Sequence, residues 1–344
     1  MAQFASHVLS FWHHKSIFTY VLLPFSWLFQ LICIVRRWYY SRNRQQDFQV
    51  PIIIVGNISL GGTGKTPLVG WLVHFLQNQG FNPGIVMRGY GGQGKLIVVN
   101  SLSDAKVVGD EALLLARKCN CPIVIGRDRT QAVKTLLAQF PQVDLVICDD
   151  GLQHYALERD LEIAVIDGKR RFGNGYCLPA GPLRESPQRL KQVDFVVTNG
   201  EAHEDEWEMT TALSSKAYRV SQSEHGRSLD DFKGQTVHAV AGIGNPERFF
   251  LMLEAKGINI IKHCFDDHHF FSGSDLRFSD NLPILMTEKD AVKCSSFAPS
   301  EAWFIPLEVH MSEAFSNLLL RRINSGQKVA GHPGLPDLQA TSSL

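Results

Sequence analysis

The residues best suited to chemistry lie in the segment GGTGKT, at positions 61–66. Its glycines allow the backbone to turn N–H groups inward around phosphate oxygens. Lys65 can reach the terminal phosphates of a nucleotide, and the Thr66 hydroxyl can bind Mg²⁺. An apolar run precedes the segment and an apolar-periodic run follows it, which places the glycines between a strand and a helix. The sequence therefore predicts a phosphate-binding loop, formed by Ser59, Leu60, Gly61, Gly62, Thr63, Gly64, Lys65 and Thr66.

Two positions of this loop narrow the class of nucleotide-binding protein. The full pattern G-x-x-x-x-G-K-[ST] has glycine where this chain has Ser59. The remaining glycines stay in register with Lys65, so phosphate binding is still predicted. Membrane-associated partitioning ATPases have a lysine immediately before the double glycine, and Leu60 at that position argues against them. The chain has no guanine-reading N-K-x-D motif, so ATP is the expected nucleotide.

Two adjacent carboxylates, Asp149 and Asp150, follow the apolar run Leu145–Cys148. An acidic residue at the carboxyl end of a parallel strand can face the metal ion of a bound nucleotide. Because adjacent side chains point in different directions, we expect Asp149, with Thr66, near Mg²⁺ and Asp150 nearer the reacting oxygens. An aspartate after a strand is more commonly a turn residue or a helix cap. Its occurrence together with the phosphate-binding loop favours the functional interpretation.

The elements that must position these residues alternate between short apolar runs and segments of helical periodicity. The apolar runs are rich in β-branched residues, which indicates strands buried on both faces of a parallel sheet. Strands are predicted at Ile52–Val55, Gly84–Met87, Ile123–Ile125, Leu145–Cys148, Ile163–Ile166 and Phe195–Thr198. Helices are predicted at Pro67–Gln79, Glu111–Lys118 and Arg129–Phe140. The alternation predicts an α/β fold with a doubly wound parallel sheet, similar to P-loop NTPases.

At 344 residues the chain is long enough for a second, smaller α/β domain. The predicted divisions are an N-terminal membrane-associated helix at 1–45, a P-loop core at 46–225, the smaller domain at 226–326 and a loose tail at 327–344. Residues 170–187 are rich in Gly, Pro and Arg and are predicted to form a long, functional loop. The polar stretch 201–215 is predicted to be a connector or an exposed helix.

The N-terminal region contains twenty consecutive residues without a charge, between Lys15 and Arg36. As a helix they would rise about 30 Å, the thickness of a bilayer core. Tryptophans and tyrosines flank the stretch, as expected at the level of lipid headgroups. We predict a membrane anchor, which either spans the bilayer once or lies in its interface. A buried core helix is the alternative. Arginines after the stretch outnumber the lysine before it, so the globular part is expected on the cytoplasmic side.

Charge composition limits the possible partners. Lys+Arg and Asp+Glu both total 34, so the formal net charge is zero. The chain also lacks the run of basic residues that a nucleic-acid-binding surface would require. The sequence therefore predicts no nucleic-acid partner, and it gives no sign of a protein partner.

Motifs over most of the chain resemble one family, the tetraacyldisaccharide 4′-kinases of Gram-negative bacteria. They occur in the family's order, and several have no counterpart in other phosphate-loop proteins. The matching segments are VGNISLGGTGKTP, MRGYGG, VGDEALLLA, IGRDR, DDGLQH, LPAGPLRE, AGIGNPERF, FDDHHFF and TEKDAVK. The apolar N-terminus is similar to the segment with which that family sits on the inner membrane.

The resemblance implies transfer of the γ-phosphoryl group of ATP to the 4′-hydroxyl of a tetraacylated glucosamine disaccharide 1-phosphate. ATP and Mg²⁺ would be the cofactors, and the lipid A precursor and the inner-membrane surface the partners. The cytoplasmic face of the inner membrane would be the location. A membrane-associated ATPase that cycles on hydrolysis without modifying a lipid is the alternative, and a soluble small-molecule kinase with a buried N-terminal helix is another.

The resemblance also implies roles for individual residues. Asp110 is similar to the family's catalytic base, although an aspartate that opens a helix is otherwise usually an N-cap. His268 matches the histidine that tunes this base, with His269 as the second choice. His154, Arg184 and Glu185 are similar to family positions that meet the acceptor or the transferred phosphate. Arg129 in IGRDR is likewise expected to bind phosphate, and a place at the start of a helix is the alternative. An exposed ion pair would be the structural alternative for Arg184 and Glu185.

Overall fold

The computed structural model describes residue 12 and residues 17–42, 48–89, 96–221 and 226–325. The predicted tail at 327–344 and the second half of the MRGYGG motif lie outside these residues. The helices are α1 (Ile17–Arg42), α2 (Lys65–Asn78), α3 (Ala105–Val108), α4 (Asp110–Lys118), α5 (Arg129–Gln139), α6 (Pro246–Ala255), α7 (Glu288–Cys294) and α8 (Glu313–Ser325). Short 3₁₀ helices cover Pro187–Gln192 and Leu229–Phe232.

The strands build two sheets, and their bounds are as follows. The first ten are β1 (Ile52–Gly56), β2 (Pro83–Met87), β3 (Ile97–Val99), β4 (Ile123–Ile125), β5 (Leu145–Asp149), β6 (Leu161–Asp167), β7 (Phe195–Asn199), β8 (Trp207–Leu213), β9 (Lys216–Arg219) and β10 (Gly226–Ser228). The others are β11 (Thr236–Ala241), β12 (Asn259–Cys264), β13 (Ile284–Thr287), β14 (Ala302–Ile305) and β15 (Leu307–Met311).

The first sheet has nine strands in the order β15-β8-β7-β6-β1-β5-β2-β4-β3. All neighbours are parallel except the two edge strands, β3 and β15, which are antiparallel to theirs. Strands β1, β5, β6 and β7 are buried along their whole length, because apolar clusters cover both faces of the sheet. This sheet and its helices form the first lobe, and the predicted doubly wound α/β fold is confirmed.

One prediction on the first lobe is wrong. The stretch 201–215 is neither a connector nor a helix, since it contains β8, which is parallel to β7 and antiparallel to β15. Met209 and Leu213 are buried, whereas Glu208, Thr210 and Ala212 of the same strand are exposed. This alternation of buried and exposed side chains is typical of a strand with one solvated face. The polar residues that suggested a connector are the ones on the solvated face.

The second lobe is a six-stranded sheet in the order β10-β9-β14-β13-β11-β12. It differs from the predicted division at residue 226, because β9 at 216–219 already pairs with β14. The last two elements of the predicted second domain, β15 and α8, belong to the first lobe. Strand β15 pairs with β8, and α8 buries Phe315 and Leu319 in the first lobe's core. Two chain segments therefore cross between the lobes, at 214–215 and at Pro306.

Helix α1 is apolar and mostly uncovered. An 18-residue window within residues 17–40 has a mean hydropathy of 1.9, and 11% of that window is buried inside the protein. The alternative of a buried core helix is therefore wrong. One side of α1 is fixed to the first lobe, since the buried Ser26 hydroxyl donates to the Cys177 carbonyl at 2.8 Å. The other side presents large apolar side chains, which include Phe18, Phe25, Trp27 and Leu31.

Candidate active site

The phosphate-binding loop lies between β1 and α2, as predicted. Gly61 and Gly64 have φ angles of 95° and 97°, in the left-handed region that favours glycine. Helix α2 begins at Lys65, so the helix N-terminus and its unpaired N–H groups lie at the end of the loop. Asn57 supports the turn from within, because its amide donates to the Thr63 hydroxyl at 3.3 Å. The loop is thus shaped to receive an anion.

Residues at the ends of two further strands brace this loop, and the sequence analysis missed them. Asp167, at the end of β6, binds the Arg170 side chain at 3.0 Å, and Arg170 donates to the Gly62 carbonyl. Asn199, at the end of β7, donates to the Thr63 carbonyl at 3.2 Å. The sequence contains a pattern that could have identified Asp167 and Asn199. Each of the two predicted strands is followed by a polar residue and then a glycine, in AVIDG and VVTNG.

The close approach of Asn199 to Gly64 leads to a prediction on stability. In Gly64→Ala a Cβ atom would lie 2.5 Å from the Asn199 amide nitrogen and would be held at a positive φ. We expect a loss of about 2–4 kcal/mol in the free energy of unfolding, from backbone strain and overpacking. Gly62→Ala is the matched control, since a Cβ there meets nothing within 4 Å. Urea unfolding without nucleotide measures both, and equal stability of the two variants would contradict the prediction.

Asp149 has the properties of a metal ligand. It is buried, its Oδ2 atom lies 3.4 Å from the Thr66 hydroxyl, and its Oδ1 atom has no hydrogen-bond partner among the described residues. Burial, with the negative charge of Glu111, raises the Asp149 pKa to about 7. An orphaned buried carboxylate oxygen beside a threonine hydroxyl fits Mg²⁺, which keeps several waters and phosphate oxygens and needs few protein ligands.

Asp150 differs from its neighbour. It has a φ of 50° and contacts the Lys65 ammonium at 3.4 Å and the Arg184 guanidinium at 3.1 Å. Burial alone would raise the Asp150 pKa, but the charges of Lys65 and Arg184 outweigh it and lower the pKa below its usual value. Asp150 therefore stays ionised and holds two cations beside the phosphate-binding loop.

Replacing Asp149 and Asp150 by asparagine is expected to change the free energy of unfolding in opposite directions. A carboxyl whose pKa rises on folding binds more protons in the folded state, so its ionisation destabilises the fold as pH rises from about 4 to 7. In the absence of metal at pH 8, Asp149→Asn should therefore raise the free energy of unfolding, by an amount on the order of 4 kcal/mol. Asp150→Asn should lower it, because two cations lose their partner. Thermal melts at pH 8 and pH 5 measure both, and a destabilised Asp149→Asn at pH 8 would contradict the assignment.

Asp110 and His268 meet across the two lobes. Asp110 begins α4 in the first lobe, and His268 lies in the loop after β12 in the second. The His268 Nδ1 atom is 2.9 Å from the Asp110 carboxylate. This hydrogen bond raises the His268 pKa, against burial and the charge of Lys289. Burial would raise the Asp110 pKa, but the bond to His268 and the charge of Lys289 lower it. Asp110 is almost fully buried, whereas His268 lines the cavity between the lobes.

Two lysines of α7 complete this pair, and the sequence analysis assigned them no role. The Lys289 and Lys293 ammonium groups each lie 3.8 Å from the Asp110 carboxylate. Lys289 also binds Glu111 and Asp267, both at 3.2 Å. Both lysines come from the TEKDAVK motif, which is nearly 180 residues away in the sequence. The contact of α4 with α7 therefore fixes the Asp110 carboxylate by cations from the opposite lobe.

His269 lies apart from this pair. Its Nε2 atom is 3.4 Å from Asp275, and its ring packs against Phe265 and Phe271. His268 has a φ of 62°, which turns the two adjacent histidines in different directions. The structure thus places His268, and not His269, on Asp110.

The four residues predicted to meet the acceptor all line the same cavity. His154 has a buried Nε2 atom without a hydrogen-bond partner among the described residues, and burial with the Arg129 charge lowers its pKa to about 4. Arg184 and Glu185 do not pair with each other, since buried Glu185 accepts from Tyr155 and from Gln153. The alternative of an exposed ion pair is therefore wrong.

Arg129 is buried and donates to three backbone carbonyls, one of them that of Asp150. In this structure it supports the turn that carries Asp150. A contact between Arg129 and phosphate stays a prediction.

One cavity of about 1270 Å³ joins these groups. The phosphate-binding loop and the two aspartates form its floor, and His268 and Arg248 line it from the second lobe. Helix α1 forms another wall, through Cys33 and Arg36. A nucleotide on the loop and a second molecule near α1 would therefore share one enclosure.

The doubly wound sheet, the phosphate-binding loop and the cross-lobe Asp–His pair define a kinase of the phosphate-loop class. The family model described as tetraacyldisaccharide-1-P 4′-kinase matches residues 18–324. The chain belongs to this family. A tetraacyldisaccharide 4′-kinase of Nitrosococcus oceani is 45% identical over 332 residues, which cover 95% of this chain and 97% of the relative. A tetraacyldisaccharide 4′-kinase of Ruthia magnifica is 48% identical over 306 residues, which cover 88% of this chain and 96% of the relative.

A solved structure supports the same assignment. The crystal structure of the "apo" form of LpxK from Aquifex aeolicus in complex with ATP has a TM-score of 0.75 to this chain. The two are 26% identical, and the match covers 89% of this chain and 100% of that one. The resemblance predicted from the sequence motifs is thereby confirmed, and the chain is an enzyme of the kinase class.

Proposed function

We propose that this enzyme transfers the γ-phosphoryl group of ATP to the 4′-hydroxyl of a tetraacyldisaccharide 1-phosphate at the cytoplasmic face of the inner membrane. The observation that carries the proposal is the single cavity in which an anion-binding loop faces a histidine–aspartate pair and an apolar helix. The names of the relatives supply the acceptor, and the ATP in the Aquifex aeolicus structure supports the donor.

The reaction requires positioning and charge neutralisation more than covalent chemistry. The loop N–H groups and Lys65 would hold the β- and γ-phosphates. Asp149 and Thr66 would hold Mg²⁺, which when bound neutralises charge on the transferred phosphoryl group. Asp150 keeps Lys65 and Arg184 at the place where that group leaves ATP.

The Asp110–His268 pair would remove the proton of the acceptor hydroxyl. His268 faces the cavity and Asp110 lies behind it, so the ring nitrogen Nε2 of His268 would accept the hydroxyl proton while Nδ1 stays bonded to the ionised Asp110 carboxylate. Lys289 and Lys293 hold Asp110 in its ionised form. Such general-base assistance typically contributes about 10²–10⁴-fold in rate.

Helix α1 would bring the enzyme to its lipid. Its outer face is apolar and exposed, while its inner face lines the cavity. A lipid acceptor could therefore keep its acyl chains in the bilayer beside α1 while its sugar enters the cavity.

The proposal is tested by label transfer. The purified full-length chain is incubated with γ-³²P-labelled ATP, Mg²⁺ and the tetraacyldisaccharide 1-phosphate, and lipids are separated from inorganic phosphate. We expect the label in a lipid with a second phosphomonoester. Label that appears only in inorganic phosphate would instead support the ATPase alternative and contradict the proposal.

A further inference from the structure

Helix α1 contributes a charged residue to the cavity that no step above has used. The α1 residues that line the cavity are Phe29, Ile32, Cys33 and Arg36. Their spacing of three, four and seven residues places them on one face of the helix. Arg36 is the charged member of this face and lies nearest its C-terminal end.

The orientation of this face is fixed by two contacts seven residues apart. The Ser26 hydroxyl donates to the Cys177 carbonyl, and the Cys33 thiol approaches the Arg184 carbonyl at 3.9 Å. Arg36 is about 4.5 Å farther along the axis than Cys33. Because the Arg184 guanidinium binds Asp150, the α1 face is connected through one loop residue to the phosphate-binding site. Arg36 is thus held beside the part of the cavity that would receive the acceptor.

The guanidinium of Arg36 belongs to an exposed residue that lines the cavity. Among the described residues no carboxylate lies within 4.0 Å of it, whereas Arg184 is paired with Asp150. The guanidinium carbon of Arg36 lies 5.9 Å from the centre of the Tyr40 ring. An exposed guanidinium that faces a cavity with its donors uncommitted matches the oxygens of a phosphomonoester, which it can bind in bidentate geometry.

We propose that Arg36 binds the 1-phosphate of the lipid acceptor and so forms an anion subsite on the membrane helix. This inference rests on the proposed function and adds the residue that recognises the acceptor's own phosphate. An acceptor held by its acyl chains outside α1 and by its phosphate at Arg36 would present its far sugar to the Asp110–His268 pair.

Phosphate at this position could also belong to a bulk anionic phospholipid. The orientation of Arg36 into the cavity favours the acceptor. Arg42, at the exposed end of α1, stacks on Trp38 at 4.3 Å and does not line the cavity. Arg42 is therefore the matched control for loss of one α1 charge at the membrane. Arg88 and Arg127 also line the cavity, but from the ends of sheet strands, so they provide the rival subsite.

The test compares two acceptors, the tetraacyldisaccharide with and without its 1-phosphate, in mixed micelles that contain no other anionic lipid. We expect Arg36→Gln to lower kcat/KM for the phosphorylated acceptor by about 10–100-fold, the worth of a charge-assisted hydrogen-bonded pair. The unphosphorylated acceptor should react equally well with wild type and variant. Arg36→Lys should recover part of the loss, and Arg42→Gln should change both acceptors by the same factor.

Three outcomes would overturn the inference. Equal losses for the two acceptors in Arg36→Gln would indicate a general membrane or structural role. A selective loss in Arg88→Gln or Arg127→Gln, with none in Arg36→Gln, would place the subsite on the sheet. Failure of wild type to phosphorylate either acceptor would instead overturn the proposed function, and this inference with it.

Discussion

Replacing Asp110 by asparagine is expected to lower kcat by about 10²–10⁴-fold, the usual contribution of a general base. ATP binding should stay within a few-fold of wild type, because Asp110 contacts His268 and two lysines and is not part of the phosphate-binding loop. The asparagine keeps the size of the side chain but lacks the negative charge that would stabilise His268 as it takes the proton of the acceptor hydroxyl. It also removes the interaction that raises the His268 pKa.

The measurement is the rate of label transfer at saturating ATP and acceptor, together with the dissociation constant of ATP by calorimetry. Glu111→Gln is the matched control, since Glu111 is the adjacent residue of α4 and shares Lys289 with Asp110. It should retain activity within a few-fold. A kcat for Asp110→Asn near that of wild type would remove Asp110 from the mechanism.

Replacing Lys65 by alanine is expected to have the second large effect. Lys65 begins α2, is largely buried and contacts Asp150 at 3.4 Å, so it is held where the terminal phosphates of ATP would lie. Loss of one preorganised cation at a site of developing charge costs about 10²–10³-fold in kcat. ATP affinity should fall as well, and Asp150 would be left with Arg184 as its remaining cation.

Label transfer and ATP calorimetry measure these effects. Lys134→Ala, on the exposed side of α5, serves as the control for loss of a lysine elsewhere in the first lobe. A thermal melt distinguishes lost function from unfolding, since Lys65→Ala should melt below wild type, having lost one ion pair of Asp150, but above the assay temperature. Tight ATP binding by Lys65→Ala would place the triphosphate somewhere other than on this loop.

Local patterns predicted where the phosphate-binding loop and the Asp149–Asp150 pair lie in the fold. The loop and the Asp149–Asp150 pair each follow a buried strand within a few residues. One short segment of sequence was therefore enough to predict the strand, the turn after it and the reactive residues. The bracing by Asp167 and Asn199 was missed because it depends on which strands are neighbours in the sheet. The strand order β7-β6-β1 brings the ends of β6 and β7 to the phosphate-binding loop. Local periodicity predicts strands but does not predict their order in the sheet.

The second half of the site depends on the approach of the two lobes. No local pattern predicts that Lys289 and Lys293 lie beside Asp110, since the contact of α4 with α7 joins residues far apart in the sequence. The choice between His268 and His269 likewise depends on one backbone angle in a loop. The resemblance to a known family, and not periodicity, supplied His268. The predicted second domain at 226–326 differs from the second lobe at both ends, because β9 precedes residue 226 and because β15 and α8 return to the first lobe.

The central claim is that Asp110 of the first lobe and His268 of the second act as one unit on the acceptor. The most direct test is a double-mutant cycle with Asp110→Asn, His268→Asn and the double variant, measured as kcat for label transfer to the lipid. If the two residues act together, the double variant should be no more than about threefold slower than the slower single variant. If instead the two losses multiply, the residues act independently, and the cross-lobe base is contradicted.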